Sequence, residues 1–137
     1  MGFFRRLVLP IVIATLVIAA SEFLRNQILL IDYWVSHYAG LGLEFPMAPV
    51  NGAIWGVWSL LFAVGIYTIS RRYSLRETVA ISWLVGFVLM WLVVGNMNVL
   101  PFGILPFAIP LSLLETFLAA LAIVKVAPPE RKGWLNR

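Results

Sequence analysis

The chain has 137 residues, of which 62% are hydrophobic and 12% charged, against roughly 45–50% apolar and about 25% charged in a soluble domain. With a mean hydropathy of +0.96, that excludes a separate soluble domain and predicts one all-α, four-helix transmembrane bundle over residues 1–137. The net charge of +4 comes without a continuous basic face for nucleic acid, and the lack of cysteine removes disulfides and thiolate chemistry.

In chain order, Arg5 and Arg6 precede the first apolar segment. The spans are expected at about residues 7–30, 52–70, 78–100 and 104–126, each near the ~20 residues that a helix needs to cross a bilayer. Arg5-Arg6, the apolar residues 7–20 and Ala19-Ala20-Ser21 also have the three regions of a cleavable signal peptide. The further apolar residues after Asn26 favour a retained helix. Near the end of this span, Glu22, Arg25 and Asn26 are spaced i, i+3, i+4 and share one face, with Thr15 and Ile18 continuing the stripe. Glu22 and Arg25 are placed to pair.

The connection over residues 32–50 mixes Gly40, Gly42, Pro46 and Pro49 with Tyr33, Trp34 and Tyr38, which suits a segment lying at headgroup level. Asp32, His37 and Glu44 fall here and match no catalytic spacing, so they read as solvated loop groups. The second span carries Gly52, Gly56, Ser59 and Ala63 on one stripe, and its Gly-xxx-Gly spacing predicts close helix packing.

Ser74-Leu75-Arg76-Glu77 has the spacing of a capping box and marks the start of the third span. That span presents Ser82, Gly86, Val93 and Asn96. Asn96 and Asn98 lie close to its end, where capping or interhelical bonding is favoured over ligand contact. Pro101, Pro106 and Pro110 then predict a short, partly buried turn into the fourth span, with a kink near Pro110. In that span Ala108, Ser112, Glu115, Ala119 and Ala122 share a face, which predicts that Glu115 looks into the bundle. Mid-span and far from any basic residue of its own helix, Glu115 calls for either a carboxyl held neutral or a salt bridge to Arg25.

Arg5, Arg6, Arg71, Arg72, Arg76, Lys125, Arg131, Lys132 and Arg137 flank alternate loops. By the positive-inside rule, both termini and the middle loop are then cytoplasmic in a multi-pass protein of a plasma or inner membrane. Polar groups in hydrocarbon are costly, so Glu115, Glu22, Arg25, Asn26, Asn96 and Asn98 are the candidates for ligand binding or proton coupling, at a polar site open to the outer side. The function expected is a transporter or ligand-binding bundle. The alternatives are a membrane-embedded lipid-modifying enzyme using an intramembrane carboxylate, and an accessory or assembly subunit of a membrane complex. The partners implied are membrane lipids, a small-molecule or lipid ligand, and a homo-oligomer or membrane-complex partner, with no nucleic acid. No cofactor or metal is expected, because a single histidine and no cysteine support neither a metal cluster nor paired-histidine haem ligation. There is no Gly-rich phosphate loop and no G-x-S-x-G elbow.

Overall fold

The computed structural model describes residues 2–130. The basic residues Arg131, Lys132 and Arg137 lie outside them. Among the described residues the chain is all-helical, and four helices are long and apolar enough to cross a membrane: α1 (Phe4–Leu29), α3 (Pro49–Ser70), α4 (Leu75–Asn96) and α5 (Phe102–Val126). A shorter helix, α2 (Ile31–Gly40), sits in the connection that the sequence marked only as interfacial.

Local chemistry sets the ends of these helices. Pro10 stands in the first turn of the regular part of α1 and has no N–H to offer the carbonyl of Arg6. The Tyr67 hydroxyl donates to that carbonyl instead, at 2.9 Å. The last turns of α1, Leu24–Leu29, are π-helical, with Leu30 N–H reaching the Arg25 carbonyl at 2.9 Å. α3 begins with Pro49 behind an extended Ala48, the arrangement a proline favours at a first turn. The capping box at Ser74 is formed: Glu77 accepts the Ser74 backbone N–H at 2.9 Å, and the Ser74 hydroxyl faces the Glu77 backbone N–H.

At its other end α4 stops at Asn96, four residues before the expected boundary. Asn98 is the reason. It adopts the left-handed conformation with φ of 58°, and Asn98 N–H and Val99 N–H turn back to the carbonyls of Gly95 and Val94, both at 3.0 Å. Those two bonds satisfy carbonyls that a helix end otherwise leaves free. Leu100, Pro101 and Ile104 are buried, so the turn into α5 is tucked under the bundle.

Successive long helices run antiparallel. At one end Arg6 meets Glu130, the Tyr67 hydroxyl meets the Arg6 carbonyl, and Arg71 Nη2 donates to the Ala127 carbonyl at 2.7 Å. At the other end His37 Nε2 lies 2.9 Å from the Asn98 carbonyl and Tyr33 tilts against Phe107. α1 is central and packs mainly against α3 and α5. Two apolar clusters hold the bundle. The first gathers Ala14, Ile18, Ala63, Ile66, Ala119, Ala120 and Ile123 towards the end that carries the chain termini. The second gathers Leu30, Leu100, Ile104 and Ala108 towards the opposite, loop end. Between them the helices bring polar residues inward.

Candidate functional site

The middle layer is built on Arg25. Its guanidinium bonds Glu22 Oε1 within α1 and donates through Nη1 to Glu115 Oε2 of α5 at 2.6 Å. The three side chains are buried, Glu115 to within 1% of full burial. Asn26 Nδ2 donates to Glu22 Oε2 at 2.8 Å, and Trp34 Nε1 of α2 donates to Asn26 Oδ1 at 3.1 Å. A continuous hydrogen-bonded chain therefore runs from α2 to the centre of the bundle. Arg25 also stands over the ring of Phe87 on α4, 5.2 Å from its centroid, so α4 faces the cluster with an aromatic surface that favours a cation.

Charge counting shows what the cluster lacks. Two carboxylates face one guanidinium, a formal charge of −1 if both acids are ionised. A buried charge without a partner is expensive. The remaining oxygen of Glu115, Oε1, is buried with no hydrogen-bond partner among the described residues. α3 carries no Asp, Glu, Lys, Arg or His, and the charges of α4, Arg76 and Glu77, lie in its first turn. Neither α3 nor α4 brings a charge to balance the cluster.

One helical turn before Glu115, the Ser112 hydroxyl accepts from Trp83 Nε1 at 2.9 Å and donates to the Ile109 carbonyl at 3.0 Å. This joins α4 to α5 beside the charged layer. The Ser82 hydroxyl is also buried and has no hydrogen-bond partner among the described residues.

A cavity of about 300 Å³ reaches the cluster from the loop end. Its walls come from α1 (including Ala19, Glu22, Asn26 and Gln27), from α3 (including Asn51, Gly52, Trp55 and Ser59), and from residues 46–48 of the connection. Phe45, just before that strip, packs against both Trp34 and Tyr38 and so pins the connection to α2. Gly52 and Gly56 line the cavity, and a Cβ added to either would meet nothing within 4 Å. The expected role of these two glycines in close helix packing is therefore corrected: their missing side chains leave space. The close approach belongs to Gly86, where an added Cβ would stand 2.5 Å from the Phe62 ring.

Of the six candidate residues, Glu22, Arg25, Asn26 and Glu115 come together. Asn96 and Asn98 do not: both are exposed at the end of α4, and Asn98 serves the helix terminus. Of the two arrangements expected for Glu115, the structure shows the bridge to Arg25. Trp34, Phe87, Gln27 and Asn51 were not among the candidates. Gln27 and Asn51 were detectable as polar residues bordering apolar spans, whereas the roles of Trp34 and Phe87 depend on tertiary contacts. Among the described residues no group of His, Asp or Glu side chains could hold a metal ion. Compared with models of known families, with curated proteins and with solved structures, the chain finds no match.

Proposed function

We propose that the chain is a multi-pass membrane protein, a transporter or ligand-binding bundle, whose working centre is the Glu22–Arg25–Glu115 cluster approached from the outer side. α1, α3, α4 and α5 are the spans in this reading. Arg5, Arg6, Arg71, Arg72, Arg76 and Lys125 all lie at the terminal end of the bundle, which supports a cytoplasmic assignment for that end. The cavity then belongs to the outer half, while the apolar cluster around Ile18, Ile66 and Ile123 closes the path towards the cytoplasm.

The observation that carries the proposal is the buried cluster of two carboxyl groups on one guanidinium beside an open cavity. Charged groups within a membrane span cost enough that they mark a functional centre by default. Here a proton on the cluster restores neutrality, and Glu22 and Asn26 connect that event to the cavity wall. Native mass spectrometry of gently extracted protein tests the reading. The expected result is a retained small molecule or distinctive lipid that is lost in Glu115→Gln. A bare chain, or one held only by a different protein, would overturn it in favour of an accessory subunit.

A further inference from the structure

The cavity has a sharper chemical signature than the cluster beside it. Both oxygens of Glu22 are engaged, one by Arg25 and one by Asn26, so the carboxylate already has its cation. No lysine, arginine or histidine lines the walls, which leaves a phosphate or carboxylate headgroup without a counter-charge next to an acidic residue. Gln27 and Asn51, both half-buried, line the cavity, and their side-chain amides make no hydrogen bond among the described residues. Each amide offers a donor and an acceptor, which suits a neutral group that can do both.

The remaining wall is mostly apolar, with Ala19, Phe23, Met47, Trp55 and the open backbone at Gly52 and Gly56, and the Ser59 hydroxyl donates to the Trp55 carbonyl at 2.8 Å. Phe23, Met47 and Trp55 are exposed by 61%, 65% and 43%, so the cavity is open rather than enclosed, with walls from α1 and α3. Along α3 its wall runs from Pro49 to Ser59, about 15 Å at the helical rise per residue, and its volume is at the small end of the range for ligand sites.

We infer that this cavity takes an uncharged amphiphile from the outer half of the membrane, its hydroxyl or carbonyl headgroup held by Gln27 and Asn51 and its apolar tail laid against Phe23, Trp55 and the two glycines. The inference rests on the membrane reading above and names the ligand class for that site. It assigns Glu22 to the wall as a group that repels anions, and it leaves the proton of the cluster separate from the charge of the ligand.

The test uses the full chain in lipid nanodiscs and diazirine-bearing derivatives of decanol, decylammonium and decanoate, with adducts mapped by peptide mass spectrometry. The expected result is labelling of the Phe23, Met47 and Trp55 peptides by the decanol probe, competed by unlabelled decanol. Gly56→Leu, placed where an added Cβ meets nothing, should lower it about tenfold or more. Gln27→Leu and Asn51→Leu should each weaken it about fivefold, the effect of one net hydrogen bond. Competable labelling by decylammonium or decanoate in place of decanol would overturn the headgroup assignment. Absence of competable labelling by any probe, or labelling unchanged in both Gly56→Leu and Gly52→Leu, would overturn the cavity as the ligand site. A ligand retained by the native chain and lost in Glu115→Gln, without competable labelling, would overturn this cavity and ligand class while the proposed function stands, so the two readings fail separately.

Discussion

Arg25 and Glu115, 90 residues apart in the chain, meet at 2.6 Å inside the bundle, and the same guanidinium also holds Glu22. One cation thus ties α1 to α5 and keeps two carboxylates from facing each other unshielded. Removing one partner of a buried pair leaves the other charge uncompensated, at a cost of about 3–5 kcal/mol. Arg25→Leu should therefore be the most destabilising single change in the cluster, lowering the detergent-solubilised Tm far more than Glu22→Gln does. The triple variant Arg25→Leu, Glu22→Gln, Glu115→Gln should recover much of the loss. Equal Tm values for the single and triple variants would show that the charges are not coupled.

Glu115→Gln should be far milder. It removes the surplus negative charge yet keeps an amide oxygen for Arg25, so stability should fall by no more than about 1 kcal/mol, or rise. Thermal unfolding compared with Glu115→Ala checks this, since the alanine variant abandons the bond altogether and should be clearly the weaker.

The glycines separate cleanly. Gly52→Ala and Gly56→Ala add a methyl group to open space and remove a poor helix former, which should stabilise each variant by about 0.5–1 kcal/mol. Gly86→Ala drives its methyl into the Phe62 ring, itself packed against Trp58 and Phe87, and should destabilise by about 1–3 kcal/mol. A loss of stability in the first two would restore the close-packing role to the Gly-xxx-Gly stripe.

Asn98 supplies a test of structure against ligand contact. Its left-handed backbone is freely available to glycine and costly for a residue with an ordinary side chain. Asn98→Gly should be neutral or mildly stabilising, whereas Asn98→Ala should cost about 1 kcal/mol by thermal unfolding. Ligand retention lost in Asn98→Gly, with stability intact, would contradict the purely structural role.

Hydropathy made the four long helices legible, because each is apolar over nearly its whole length, and the capping box gave the start of α4 to within a residue. The spacing of Glu22, Arg25 and Asn26 likewise showed their shared face, and the small residues around Glu115 showed which way it points. What the sequence held back depends on partners. Whether Gly56 admits a neighbouring helix or leaves a hole is decided by what lies opposite, and nothing within α3 encodes that. The choice between a neutral Glu115 and a bridge to Arg25 depended on the relative depth of two helices. α2 was hidden because it is only ten residues long and Gly40, Gly42 and Pro46 crowd its end.

The cluster also has a bearing on the order in which the helices are made. α1 emerges first and carries Arg25 and Glu22 together, so its acid and base cancel before any other helix exists. α5 emerges last with Glu115 and no cation until Lys125 in its final turn. In the membrane reading, the first helix can settle alone with its own ion pair, whereas the last brings an acid that Arg25 of α1 holds, so the cluster is complete only once α5 has docked against α1.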